Sequence, residues 1–368
     1  MACTSSPPAT TCAKCSRPTD RACFGCKDAP ALHDGVRSVF YCSSACQKAH
    51  WKVHKGDCKV MKERKILYRV GDTLQKMFYL YRERVFDKKI AKIEKKDGKL
   101  LIHDRDFNTE ELSKVITEIE MIKPVPHEMC ENEEDKKAVL VHLACSDAVA
   151  WMHHSVKFML SDYVSEFGEV CVSLKNNKRE AIGVNINGVE DGSFDHDLMM
   201  LKLKGSGEIY ALDLSSAQFG YYHPVTPWFE LVATRVKNLV RRPDDKEYNY
   251  FGGWHDRLLD RLDPSLHPPT GGLGPVTYSL NLHVSPVLKE GMEGWLRKKA
   301  LGLEEMMVLP QRDFEAKQKD LLAHIDECVE AKIVWLANFA KEARARNECV
   351  QNCDGRVRQR LQTIKAIA

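Results

Sequence analysis

Beyond residue 58, apolar side chains recur at intervals of three and four: Ile66, Val70, Leu74, Met77, Phe78 and Tyr81. This spacing lays one apolar stripe along a helix and predicts that the segment enters a core. Two short apolar runs then flank Asp97-Gly98 in "IAKIEKKDGKLLIHD", the pattern of a hairpin closed by a tight turn. In "NTEELSKVITEIEMI", Asn108 stands as an N-cap with Glu111 three residues on, which predicts another helix. A long helical stretch is predicted from about Glu133 to Phe167, followed by strand-like runs: "EVCVSL", "AIGVNI", "LMMLKL" and "EIYALDL". Helical patterns return near Trp228 to Val240, near Trp295, and from about Arg312 to Thr363. In the last of these, Phe314, Leu321, Ile325, Val329 and Val334 keep helical spacing.

Helices and strands mixed in this order, without regular βαβ alternation, predict an α+β fold closed or extended by a long C-terminal helix. The first eleven residues and the Pro/Gly-rich stretch 267–275 carry no periodicity and read as disordered.

Composition changes this picture little at first. Of the 368 residues, 43% are hydrophobic and 29% charged, the balance of an ordinary globular protein. A formal charge of +3 is too small at this length to imply a polyanionic partner. No apolar run approaches a membrane span, and the opening lacks the basic and apolar regions of a secretory signal. The expected setting is therefore intracellular, nucleus or cytoplasm. There, clustered cysteines point to metal rather than to disulfides.

Cysteine is where the sequence departs from the ordinary. Seven of its fourteen cysteines (Cys12, Cys15, Cys23, Cys26, Cys42, Cys46 and Cys58) fall between residues 12 and 58. With His54 they form four ligand pairs, C-x2-C, C-x2-C, C-x3-C and H-x3-C. Eight soft ligands make two tetrahedral sites of the kind zinc occupies. So short a segment cannot bury enough apolar surface to fold alone, so metal capture must supply its folding energy.

The spacing resembles the MYND finger, as do "YCS" at Tyr41 to Ser43, "CQ" at Cys46 and Gln47, and "HWKVHKGDC" from His50. The resemblance implies interleaved pairs, with Cys12, Cys15, Cys42 and Cys46 on one zinc and Cys23, Cys26, His54 and Cys58 on the other. It favours His54 over His50, since three residues separate His54 from Cys58, the last cysteine of the finger. The implied organisation is a cross-braced two-zinc finger at 12–58, a mixed α+β domain at 59–310 and a C-terminal helical region at 311–366.

MYND fingers bind proteins, often short proline-rich peptides, and the resemblance places Gln47 and Trp51 in that contact. The competing reading of Trp51 is packing inside the finger. Phe24 stands where some peptide-binding members carry a small polar residue. From 12 to 60 there are nine Lys or Arg against four Asp, which fits compensation of thiolate charge. No aromatics alternate with the lysines as a single-strand nucleic-acid binder would need, so nucleic acid is disfavoured as partner.

Many MYND proteins are lysine methyltransferases, but here only eleven small residues precede the finger. Neither an Asn-His-Ser-Cys-like nor a Gly-Glu-Glu-Leu-like stretch occurs. A different resemblance lies in "HDLMMLKLKGSGEIYALDLSSAQFG", which is similar to the His and Asp strands of transglutaminase-like cysteine enzymes and implies such a core. His196 and Asp213 would share a sheet face if the loop between their strands is two residues long, and would not if it is three. Cys145 would be the nucleophile if it begins a helix at "CSDAVAW", where the helix dipole favours a thiolate. If "KKAVLVHLACSDAVAWMHH" is one helix, Cys145 is instead a small core residue. In the tail, Cys349 and Cys353 lie one helical turn apart without a second pair and read as ordinary thiols. The balance favours a zinc-dependent protein-interaction module with a regulatory role over an enzyme. The alternative is a cysteine hydrolase or acyl transferase using Cys145, His196 and Asp213.

Overall fold

The apolar stripe at Ile66 belongs to a helix that begins far upstream. In the computed structural model, α1 runs Ser44–Arg84, with the Ser43 hydroxyl accepting the Cys46 N–H as N-cap. Described are residues 10–32, 36–105, 122–191, 194–241, 250–260 and 274–345. The finger and the larger domain therefore share one helix, which passes through residue 58 without interruption. Its first turns are mostly exposed, while Ile66, Leu67, Val70, Leu74, Met77, Phe78 and Tyr81 are buried.

After α1 comes the hairpin of β1 (Ile90–Lys96) and β2 (Lys99–Asp104). Asp97 and Gly98 both take positive φ, 51° and 77°, as a two-residue turn matching strand twist requires. The expected helix at Asn108 to Ile122 falls almost wholly outside the described residues. The stretch predicted as one helix from Glu133 is instead three elements: α2 (Glu133–Leu140), α3 (Cys145–Leu160) and the start of β3 (Val164–Leu174). Leu143, at φ 58°, breaks the helix, and Gln218 Oε1 accepts its backbone N–H at 3.1 Å. That partner lies 75 residues away, so local periodicity could not reveal the break.

The chain continues through β4 (Glu180–Val184), β5 (His196–Leu203), β6 (Ile209–Leu212) and β7 (Val225–Pro227) to α4 (Trp228–Thr234) and β8 (Val236–Arg241). The helix predicted to reach Val240 thus stops at Thr234. Its β-branched and apolar end pairs with β3, the tertiary sheet edge overriding local pattern. Helices α5 (Gly253–Asp260), α6 (Gly274–Lys299), α7 (Leu303–Val308) and α8 (Gln311–Ala345) complete the described chain. The stretch 267–275 lies outside the description except for its last two residues, which open α6. Residues 346–368, with Cys349 and Cys353, and residues 1–9 lie outside it entirely.

Two sheets result. One has the order β1-β2-β4, with β2 and β4 parallel; the other is antiparallel, in the order β7-β6-β5-β3-β8. The core lies between the second sheet and the helices α1, α3, α6 and α8, with Trp151, Phe78, Tyr210 and Trp295 at its centre. Each such side chain contributes about 2 to 3 kcal/mol by leaving water. Gly71 lets α1 approach β7 closely, since a methyl there would overlap Val225. An ion pair and charge-assisted hydrogen bonds fix further contacts of α1. Arg64, fully buried, donates to the Glu208 carboxylate, and Glu63 accepts the Ser206 N–H at 3.0 Å, which ties the helix to the β5–β6 loop. Arg69 donates to the carbonyls of Met307 (2.8 Å) and Leu309 (2.6 Å) and so ties it to α7. Among the described residues no helix is long and apolar enough to cross a membrane.

Candidate functional site

The finger is built from turns that point sulfur inward. After each C-x2-C pair the chain turns left-handed, at Ser16 (φ 58°) and Asp28 (φ 64°). The Ser16 and Lys27 N–H groups close these turns on the carbonyls of Cys12 and Cys23, both at 2.8 Å. Gly25 lies between the second pair because there is no room for more: a methyl there would stand 2.9 Å from Cys58 Sγ. Cys42 lies just before α1, and Cys46, His54 and Cys58 follow on that helix at multiples of four residues, facing the two C-x2-C turns.

Two clusters form, Cys12, Cys15, Cys42 and Cys46 in one and Cys23, Cys26, His54 and Cys58 in the other. In the first, Sγ separations are 3.5 Å (Cys15–Cys42), 3.6 Å (Cys42–Cys46) and 3.8 Å (Cys46–Cys15). In the second, Cys23 and Cys58 are 3.8 Å apart, and Cys26 Sγ lies 3.6 Å from His54 Nε2. A tetrahedron with zinc–sulfur bonds of about 2.3 Å has sulfur–sulfur edges of about 3.8 Å, and a mixed sulfur–nitrogen edge of about 3.6 Å. The donor sets therefore fit two zinc ions, and the pairing is the interleaved one. Residues 12–58 match the family model of the MYND finger. That match spans about an eighth of the chain. Comparison of the chain with curated proteins and with solved structures gave no match.

Other residues of the MYND finger divide between support and surface. His50 is no ligand; its Nδ1 meets the Tyr41 hydroxyl at 3.0 Å. His54 is buried, and burial lowers its pKa, which keeps the imidazole neutral and its lone pair free for metal. The Gln47 amide donates to Cys23 Sγ at 3.5 Å, a contact of the kind that orients a metal ligand. Trp51 stands beside the His54 ring (centroids 6.1 Å apart) yet is 44% exposed, and Phe24 and Val53 are more exposed still.

A second constellation lies in the body. Met199 pairs with Leu212 and Leu203 with Glu208, so the β5–β6 loop holds four residues, 204–207. An even count places Asp213 opposite Leu198, on the face that His196 also uses. His196 Nε2 and Asp213 Oδ2 are 2.8 Å apart, with the histidine side chain fully buried. The other Asp213 oxygen accepts the Ser215 N–H at 3.1 Å, so the aspartate both opens the turn and holds the ring. The ring edge rests on Phe219, at 4.8 Å between centroids.

Cys145 is the first residue of α3 and is half-buried. Burial by itself would lower the His196 pKa, but Asp213, joined by hydrogen bonding and charge from Cys145, outweighs it and raises the value to about 10. Its Nδ1 has no hydrogen bond of regular geometry. The neighbouring Asp197 is occupied elsewhere, accepting from Ser146 at 2.8 Å and from Arg241 at 2.6 Å. Gln218, which the sequence reading left unassigned, braces this region by holding both Leu143 and the Ser215 carbonyl. Its signal in the sequence was its place in "DLSSAQF", part of the stretch similar to the Asp strand of transglutaminase-like enzymes.

Proposed function

We propose that the MYND finger docks a protein partner and that the bound segment is a short proline-rich peptide. The observation that carries this reading is Trp51. In a unit with almost no apolar interior, its indole remains exposed on α1 while the neighbouring His54 is spent on metal. Gln47 precedes it by one helical turn and shares its face. Exposed aromatic rings are the usual platforms for a polyproline II ligand. Trp51→Ala should leave both finger zinc ions bound and weaken binding of proline-rich peptides by tenfold or more, measured by fluorescence anisotropy on the full chain. Unchanged affinity for every peptide that binds the wild type would overturn the reading.

A second reading is favoured by one observation: the 2.8 Å contact of His196 with Asp213, beside a cysteine at a helix N-terminus. Such a set suits a cysteine hydrolase or acyl transferase. With His196 already an imidazolium, Cys145 would attack an acyl carbon through sulfur as the thiolate paired with it. The imidazolium would give its proton to the leaving group, and water or an amine would release the acyl group from sulfur. Asp213 would hold the imidazole in orientation throughout. An acyl-directed thiol probe should label Cys145 at least tenfold faster than Cys130, and His196→Ala should abolish the difference. Equal labelling in wild type and variant removes this reading.

A further inference from the structure

Outside both of these sites, three imidazoles converge on the far half of α3. His153 and His154 come from that helix and His255 from the first turn of α5, 101 residues later. One ring nitrogen of each lies within 4.8 Å of those of the others. Ring centroids are 3.7 Å apart for His153–His154, 4.5 Å for His153–His255 and 5.5 Å for His154–His255.

We propose that His153, His154 and His255 form a third metal site, for a divalent ion of the zinc class, with its fourth position open to solvent. Nothing in the role of the MYND finger uses these residues, and the proposal stands apart from both readings above. Three neutral histidines plus one open position is a donor set zinc accepts readily. His153 is buried, His255 partly so and His154 exposed, so the open position would face the His154 side.

The surroundings fix the rings as a metal site requires. His153 Nδ1 donates to the Ala150 carbonyl at 2.7 Å, which leaves the Nε2 lone pair free. His255 Nδ1 faces Asp256 Oδ1 at 3.4 Å, and that carboxylate also accepts from the Tyr250 hydroxyl. The loop that delivers His255 is pinned from beneath, because the buried Glu169 of β3 accepts the N–H groups of Gly252 (2.8 Å) and Trp254 (2.9 Å). Gly252 takes φ 111°, a conformation that suits glycine, where its backbone passes over the His153 ring.

Protonation does not compete at neutral pH. Burial, and then the neighbouring imidazoles, hold His153 near 3, and the same effects with nearby lysines hold His154 near 4. Burial also lowers His255. Lys157 and Lys289 are the cations closest in effect to His154. Lys289 is paired with Glu293 at 3.5 Å, which offsets its charge.

The test uses the full chain with the finger's two sites filled by zinc. Equilibrium dialysis against Zn2+ should give three ions per wild-type chain and two for His154→Ala, an exposed position whose replacement leaves the core intact. His255→Gln should also give two, with an unchanged circular dichroism spectrum. Co2+ added to the zinc-filled protein should show ligand-field bands without thiolate-to-cobalt charge transfer. Two ions in wild type, three retained in both variants, or a thiolate signature on the added cobalt would each overturn the proposal.

Discussion

The finger and the body solve the folding problem by different means. Apart from its ligands, the finger buries little more than Tyr41 and Met61, whereas the body closes over a continuous core running from Ile66 on α1 to Val329 on α8. Two closed thiolate and imidazole sites supply what that apolar surface would otherwise provide, at about 10 to 16 kcal/mol for a structural zinc in a finger peptide. Because α1 belongs to both regions, the finger is cantilevered from the core rather than linked to it by a flexible segment. The comparison teaches that the same helix can be metal-held at one end and packing-held at the other.

Breaking each support separately should show the division, and the largest effect belongs to the metal. Cys23→Ala opens the second site and should unfold residues 12–43, read as rapid proteolysis there, while the body keeps its thermal transition. Leu74→Ala, fully buried in α1, should do the reverse: about 3 kcal/mol lost from the body by denaturant unfolding, with both finger zinc ions retained. Glu208→Ala tests the join. It removes the carboxylate paired with the buried Arg64 guanidinium and should cost about 2 to 3 kcal/mol, less than loss of a fully buried pair because Glu208 is part-exposed.

The effect that is smallest per pH unit is a slope rather than a single loss. His196 titrates near 10 in the folded chain against an ordinary value of 6.5, so its pairing with Asp213 stabilises fully below pH 6.5. That contribution fades as pH rises toward 10, at no more than about 1.4 kcal/mol per pH unit for one proton. Asp213→Asn should flatten the slope in urea titrations across that range. A slope unchanged by the substitution would show that the pair does not hold the proton.

How far each region could be read from sequence follows the same division. The finger was legible almost residue by residue, because metal geometry demands fixed spacings over short distances and leaves them in the chain. The family resemblance favoured His54 over His50, and the geometry agrees. The Asp97-Gly98 hairpin was legible for a similar reason, since its turn needs two residues at positive φ. The body was legible only in outline. The break at Leu143 depends on Gln218, and the strand at Val236–Arg241 depends on the free edge of β3; both are contacts across the fold. The meeting of His153, His154 and His255 could not be read at all. His255 reaches the others through a loop anchored by Glu169, and no periodicity records that.

The central claim is that zinc, not packing, folds the finger. Hydrogen exchange on the full chain, resolved by peptide and followed while a chelator withdraws metal, tests it most directly. The account predicts that protection of residues 12–58 disappears in step with the two finger ions while α3 and β5 keep theirs. Protection of the finger that survives removal of both ions would contradict it.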